Sequence, residues 1–134
     1  MKYFYCDSCF LITSYKDGNL EVLSQYKDLF FISNTQIEGE LIYPKDLADK
    51  VRQSVTVIDK DREEIVLKTS ELFSSSVGLS RFDCLCMAYA LIDGYCLITD
   101  DKVLIKKCIS NNINIKSTEQ IIKEFKNGGD FMHM

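Results

Sequence analysis

The sequence predicts an α/β fold of three layers, in which a central, mainly parallel sheet of about five strands carries helices on both faces. Short apolar runs of strand length alternate with stretches of helical periodicity along the chain, as is typical of parallel sheets. A length of 134 residues, with 46% hydrophobic and 27% charged residues, suits one folded domain. The segment YCLIT is apolar without interruption, as expected of a central strand covered on both faces.

The predicted strands are short and rich in aromatic or β-branched residues. KYFYC at the start of the chain is aromatic, and SVTVID is β-branched. Polar or turn-forming residues follow each run, and such residues end strands. The predicted strands cover residues 2–6, 29–33, 54–59, 95–99 and 113–116.

Helices are predicted between these strands. Asn34 and Thr35 are expected to cap one helix and Ser80 another, and Pro44 separates two short helices. The helix after Ser80 contains CLCMAYALI, is therefore expected to be buried, and ends at Gly94. The predicted helices cover residues 19–26, 36–42, 45–52, 62–73, 81–92, 102–110 and 118–126.

The domain is expected to span residues 1–127, with residues 128–134 as a C-terminal tail. The tail contains the only histidine, His133, to which we assign no catalytic role. The apolar run at the N-terminus is too short for a signal peptide, and no stretch is long enough to span a membrane. We therefore expect a cytoplasmic protein without membrane association, whose six cysteines are reduced and mostly buried.

Five acidic residues stand out by position. Asp7 follows the first predicted strand, Glu40 lies on the helix after the second, Asp83 lies in the first turn of the buried helix, and Asp100 and Asp101 follow YCLIT. Residues just beyond the carboxyl ends of parallel strands gather at one edge of the sheet. Acids far apart in sequence are thus expected to meet in space.

Carboxylates brought together repel one another unless a cation lies between them. Oxygen ligands without histidine or cysteine favour Mg²⁺ or Mn²⁺ over zinc. Such a site also fits the formal net charge of −4, which is unusual for a nucleic-acid binder but compatible with a bound cation. Each acid also has a structural explanation, because Asp83, Asp100 and Asp101 could cap helices, Glu40 could be solvated, and Asp7 could belong to a turn.

Four segments resemble the PIN-domain family of small α/β nucleases, in order and spacing, across nearly the whole chain. The segment with LS-x-x-D and the segment with LITDD are the most specific. The segments are YCDSCFLI at residues 5–12, ISNTQIEGEL at 32–41, GLSRFDCLCMAYALIDG at 78–94 and CLITDDKVL at 96–104.

The resemblance implies an endoribonuclease that depends on Mg²⁺ or Mn²⁺. The positions that match the family's catalytic acids are Asp7, Glu40, Asp83 and Asp101. Asp100 is expected as a further metal ligand, and which of Asp100 and Asp101 lies deeper stays open. Ser8 and Thr99 are expected to orient the carboxylates or bound water. Glu40 is chosen over Glu38 because Leu41 follows it, as in the family's E-L pattern.

The resemblance also implies partners: an RNA substrate, an antitoxin protein if the chain is a toxin of a toxin–antitoxin pair, and a second copy in a homodimer. Other family members process or degrade RNA, and the sequence does not choose between these roles. Four cations near the acids in sequence are candidates to contact phosphates, although a solvated surface position is the commoner case for each of them. They are Arg81, Lys102, Lys106 and Lys107.

Other functions fit the sequence less well than a nuclease does. Cys6-x-x-Cys9 is a weak thioredoxin-like motif, and Cys84-x-Cys86 in a buried helix does not present two zinc ligands. A receiver domain would need paired acids after the first strand, where Asp7 stands alone. The remaining alternative is a PIN-like module that binds nucleic acid or protein without catalysis.

Overall fold

The strands of the computed structural model form one parallel sheet, as the sequence predicts. Residues 2–131 are described, and residues 1 and 132–134, including His133, lie outside the described part of the chain. The strand order is β3-β2-β1-β4-β5, and every neighbouring pair is parallel. The strands are β1 (Phe4–Cys6), β2 (Phe30–Ser33), β3 (Thr56–Ile58), β4 (Cys96–Ile98) and β5 (Ile115–Lys116).

Helices connect the strands, so the predicted α/β class is confirmed. Within the described residues, no helix has the length and apolar character needed to cross a membrane. A short 3-10 helix, Lys27–Leu29, precedes β2. The α-helices are α1 (Ser8–Lys16), α2 (Leu20–Ser24), α3 (Asn34–Glu40), α4 (Leu47–Ser54), α5 (Glu63–Ser75), α6 (Arg81–Asp93), α7 (Lys102–Ser110) and α8 (Thr118–Lys126).

Several helices differ from the sequence prediction, and α1, α3 and α4 are the most informative of them. The sequence did not predict α1, which begins directly after Asp7 with no intervening turn. Ser33, and not Asn34 or Thr35, caps α3, because its hydroxyl accepts a hydrogen bond from the Thr35 backbone N–H at 3.2 Å. That cap starts α3 two residues earlier than predicted. The helix α4 begins later than predicted, at Leu47.

Alternate side chains of the central strands pack into separate layers, as the pleat requires. Phe4 stacks on Phe30, on the face that also receives Phe10 of α1 and Phe125 of α8. Tyr5 stacks on Tyr89 of α6, on the opposite face. The sheet is therefore covered on both faces, in the predicted three-layer arrangement.

The end of the described chain packs into the core. Phe131 is 3% exposed and makes edge-to-face contacts with Phe4, Phe30 and Phe125. The stretch that the sequence assigns to a tail thus contributes a large apolar side chain to the same layer as α8.

Strand order changes direction at β1. The chain runs from β1 outward to β2 and β3, then returns through α5 and α6 to β4 on the other side of β1. The crevice outside the carboxyl ends of β1 and β4 is thus the switch point at which open α/β sheets bind ligands. This geometry places Asp7 beside the residues that follow β4.

Candidate active site

Asp7 and Thr99 meet where β1 and β4 end. In the register of these strands Cys6 lies opposite Ile98, and the Asp7 backbone N–H donates to the Ile98 carbonyl at 3.0 Å. The Thr99 hydroxyl donates to Asp7 Oδ2 at 2.7 Å. The pairing of two central strands therefore positions the first carboxylate of the site.

The Asp7 carboxylate is only 7% exposed and receives three hydrogen bonds. Oδ1 accepts from the Ser8 backbone N–H at 2.8 Å, so Asp7 is also the N-cap of α1. Oδ2 accepts from the Cys9 thiol at 3.1 Å in addition to Thr99. Hydrogen bonds of this kind offset the cost of burying a polar group.

Glu40 lies at the last residue of α3 and points back to the start of α1. Its Oε1 accepts from the Ser8 hydroxyl at 2.7 Å and from the Gln36 side-chain amide at 3.2 Å. Burial is the main reason that the pKa of Glu40 lies above its ordinary value, and the negative charges of Asp7 and Asp83 raise it further. Glu40 is therefore close enough to both acids to feel their charges.

Asp83 has a structural role and a place in the same acidic cluster. It is part of a capping box at the start of α6, in which Oδ2 accepts from the Ser80 backbone N–H at 2.9 Å. The pKa of Asp83 is raised, first by burial and then by the charges of Asp7 and Asp101. The capping role expected from S-x-x-D thus coexists with a position beside the other acids.

Asp100 and Asp101 extend the cluster beyond β4. Asp101 caps α7, with Oδ1 accepting from the Leu104 backbone N–H at 3.0 Å. Asp100 Oδ1 accepts from the Thr118 backbone N–H at 2.9 Å. One oxygen of each carboxylate is thereby engaged, and both residues line the same cleft. The structure brings both into the cluster and does not select one over the other.

All five candidate acids line one cleft of about 430 Å³. Glu38 does not line it, since its carboxylate instead accepts from the Asn34 side chain on the exposed side of α3. The residues that line the cleft are Asp7, Ser8, Cys9, Ile12, Glu40, Asp83, Asp100 and Asp101.

The donor set suits a hard divalent cation. Within residues 2–131, none of these five carboxylates forms an ion pair with Lys or Arg, so their mutual repulsion is not balanced by a protein cation. Among the same residues, no three acidic, cysteine or histidine side chains are already grouped as ligands of a single ion. Carboxylates of two or more elements would therefore have to shift inward to coordinate one Mg²⁺ or Mn²⁺ together.

The predicted phosphate-contacting cations do not line this cleft. Arg81 lies over the Phe73 ring, with 4.8 Å between the guanidinium carbon and the ring centroid. Lys106 and Lys107 line a second cleft together with Val77 and Val103. These cations are therefore near the acids in sequence but do not line the same cleft.

Sequence reasoning missed two side chains that contact the cluster. Cys9 stands out in the sequence as part of a CxxC motif, yet its thiol donates to Asp7. Gln36 is completely buried and contacts both Ser8 and Glu40. Its position four residues before Glu40 on one helix face was the available signal.

The cysteines are free thiols in the structure. Burial raises the pKa of Cys6, and burial together with the Asp7 charge raises the pKa of Cys9 to about 12. A redox motif needs a lowered thiol pKa, so these shifts run against a thioredoxin-like function for Cys6 and Cys9.

Comparison with known proteins shows similarity of fold to solved structures and no match to a protein family or a curated protein. No family model matches the chain, and no curated protein matches it significantly. Among solved structures, PAE2754 from Pyrobaculum aerophilum aligns with a TM-score of 0.68 and 15% identity, over 94% of this chain and 96% of that one.

A second solved structure is VapBC2 from Rickettsia felis bound to a DNA fragment from their promoter. It aligns with a TM-score of 0.59 and 16% identity, over 86% of this chain and 98% of that one. Identities this low establish similarity of fold alone. The chain thus has a PIN-like α/β fold.

Proposed function

We propose that this protein is a metal-dependent endoribonuclease that hydrolyses RNA phosphodiester bonds. The observation that carries the proposal is the convergence of Asp7, Glu40, Asp83, Asp100 and Asp101 on one cleft at the switch point of the sheet. The PIN-like fold supports it, as do the resemblance of the sequence motifs to that family and the lack of a balancing Lys or Arg ion pair among the described residues.

Asp7, Glu40, Asp83 and Asp101, with Asp100 beside them, would hold Mg²⁺ or Mn²⁺. A bound ion of this kind lowers the pKa of a coordinated water and neutralises negative charge on the phosphate. Thr99 and Cys9 keep the Asp7 carboxylate oriented, and Ser8 does the same for Glu40. Because Asp7 is nearly buried, its charge acts at the base of the cleft, where water screens it least.

We further propose that the protein is the toxin of a toxin–antitoxin pair, with an antitoxin protein as its partner. The support is the likeness of its fold to VapBC2 from Rickettsia felis, together with the resemblance of its sequence to a family rich in such toxins. Co-expression with the protein encoded by a neighbouring gene, followed by co-purification and inhibition of RNA cleavage, tests this partner. A protein that cleaves RNA and acquires no inhibitor from its gene neighbourhood would be an RNA-processing enzyme instead.

Catalysis is tested by RNA cleavage with Mg²⁺ or Mn²⁺, with and without EDTA. Mutation of an outer-shell partner typically lowers the metal affinity or activity of a site by roughly 10- to 100-fold. Loss of a proposed ligand should cost more, so Asp7→Asn or Glu40→Gln should lower the cleavage rate by at least about 100-fold. Glu38→Gln is the matched control, because Glu38 lies on the same helix with its carboxylate outside the cleft. It should cleave at the wild-type rate.

The alternative is a PIN-like module without catalysis. It would bind RNA or protein equally well after Asp7→Asn and would show no cleavage dependent on added metal. Cleavage that survives both EDTA and Asp7→Asn would indicate a contaminating nuclease and would contradict the proposal.

A further inference from the structure

Gln36 is a buried polar side chain that the proposed chemistry does not itself require. It lies in the middle of α3 and is 0% exposed, although glutamine is mostly found at protein surfaces. Burial of an amide is costly unless both its oxygen and its NH₂ group form hydrogen bonds. The partners of Gln36 therefore indicate why it is there.

The oxygen of Gln36 faces the protein interior. Gln36 Oε1 accepts from the Tyr5 hydroxyl at 2.7 Å and from the Cys86 thiol at 3.5 Å. Tyr5 in turn accepts from the Ser33 backbone N–H at 3.1 Å. Burial raises the pKa of Tyr5 well above its ordinary value, so the phenol keeps its proton and remains a donor. The direction of this chain of hydrogen bonds determines which end of the amide carries the oxygen.

The NH₂ group of Gln36 therefore faces the acidic cluster. Nε2 donates to the Ser8 hydroxyl at 3.0 Å and to Glu40 Oε1 at 3.2 Å. The Ser8 hydroxyl donates to the same oxygen of Glu40 at 2.7 Å. Two donors thus hold Glu40 Oε1, while no hydrogen bond within the described residues engages Oε2.

We infer that Gln36 is a positioning residue that, through Ser8 and directly, holds Glu40 with Oε1 engaged and Oε2 presented to the cleft for a divalent cation. The inference rests on the proposed metal-dependent function for the role of Oε2. The orientation of Glu40 does not depend on that function. A carboxylate at position 36 could not take this role, because it has no NH₂ group to donate to Glu40.

Two substitutions distinguish the effect of losing the NH₂ donor from the effect of changing the side-chain volume. Gln36→Glu keeps the shape but replaces the NH₂ donor with an acceptor beside Glu40, and Gln36→Met keeps a similar volume without any donor. Gln53→Met is the matched control, since Gln53 is an exposed glutamine of α4. Tyr5→Phe removes the hydroxyl that directs the amide and leaves the aromatic ring in the core.

The primary readout is Mn²⁺ affinity, measured by calorimetric titration of the full chain. Loss of an outer-shell partner typically lowers metal affinity by roughly 10- to 100-fold, so Gln36→Met should weaken Mn²⁺ binding by at least about tenfold. Gln36→Asn is the conservative variant, and with its shorter side chain it should restore part of the affinity relative to Gln36→Met. Gln53→Met should bind Mn²⁺ as the wild type does.

A crystal structure of Gln36→Met provides the second readout, and thermal unfolding checks that the variant is folded. If Glu40 keeps its side-chain conformation in that variant, or if a folded variant binds Mn²⁺ with wild-type affinity, the inference is wrong. If the wild-type protein binds no Mn²⁺, the proposed function fails, and the conformation of Glu40 alone then decides the inference. Should Gln36→Met fail to fold, Tyr5→Phe with the same two readouts takes its place.

Discussion

Glu40 and Asp83 are carboxyl groups whose charged forms the fold disfavours. Their pKa values lie above the ordinary 4.5 and 3.8, chiefly because of burial and further because of the Asp7 charge. The folded chain therefore keeps these protons to higher pH than the unfolded chain does. Where the folded state binds more protons, the free energy of unfolding falls as pH rises. The loss of stability begins as pH rises past the ordinary pKa values and is complete once pH exceeds the raised pKa values.

The contribution of Glu40 and Asp83 should consequently make the metal-free protein more stable as pH is lowered through their raised pKa values toward the ordinary 4.5 and 3.8. Urea unfolding in EDTA across this range measures the slope. Glu40→Gln removes one of the two groups and should make the slope shallower, whereas Glu38→Gln should leave it unchanged. An identical slope in Glu40→Gln and wild type would contradict the assigned cause.

At the scale of single residues, the sequence identified the acids and missed the amide that holds one of them. Asp7 and Asp101 were predictable because each follows an apolar strand, and parallel topology places such positions together. For Gln36 the sequence offers only its spacing of four residues from Glu40, which is a weak signal because a glutamine within a helix is usually solvated. Its burial depends on Tyr5, 31 residues earlier in the chain.

At the scale of helices, two capping boxes offer a matched comparison. Ser80 and Asp83 form one at the start of α6, and Ser117 and Gln120 form the other at the start of α8. Replacing a capping serine by alanine costs about 1 kcal/mol, so Ser80→Ala and Ser117→Ala should lower the free energy of unfolding by similar amounts.

Only Ser80→Ala should also change Mn²⁺ affinity, because it removes the acceptor of the Asp83 backbone N–H and so loosens the first turn of α6, which carries a carboxylate of the cleft. Chemical unfolding measures the first effect and calorimetric titration the second. Equal Mn²⁺ affinities in the two variants would show that the cap does not orient Asp83.

Gly39 of α3 lies against Phe82 of α6. Glycine within a helix costs roughly 1 kcal/mol relative to alanine. An alanine at position 39 is nevertheless disfavoured, because its Cβ would overlap the Phe82 ring. The two residues immediately precede Glu40 and Asp83, so this contact lies beside two carboxylates of the cleft. Close approach of the helices explains the glycine.

Gly39→Ala should destabilise the wild-type protein by about 1–3 kcal/mol, the usual cost of overpacking. In a Phe82→Ala background the same substitution should stabilise by up to roughly 1 kcal/mol, because only helix propensity remains. Urea unfolding of the four proteins of this double-mutant cycle measures both values. Destabilisation in both backgrounds would show that Phe82 is not the obstacle.

Helix boundaries were predictable where local chemistry marks them. The predicted bounds of α7 and α8 agree with the structure because Asp101 and Ser117 cap these helices through their own side chains. The helix α1 was missed because its residues, SCFLITSYK, lack a clear polar face and follow a strand with no turn. Its start depends on Asp7, whose position in the sequence suggests a metal ligand or a turn residue and not a helix cap.

At the scale of the whole molecule, the described end of the chain belongs to the core. The seven residues of the predicted tail are too few, and begin with too flexible a Gly-Gly pair, to give a periodic signal, so the burial of Phe131 could not be predicted. Phe131→Ala should lower the free energy of unfolding by about 3 kcal/mol, the lower end of the range for core phenylalanine. Val77→Ala, at a side chain that is 94% exposed, should change it by less than about 0.5 kcal/mol. Equal effects in the two variants, measured by urea unfolding, would place Phe131 outside the core.

The position of β4 between β1 and β5 has a consequence for protein synthesis. A ribosome makes Asp7 and Glu40 long before Asp100 and Asp101, and until β4 emerges from the exit tunnel β1 lacks one of its two neighbours. Pairing between segments so distant along the chain comes late, because the entropy of closing a long loop opposes it. A nascent chain therefore carries an incomplete set of acids until the residues that follow β4 have emerged and β4 has paired with β1.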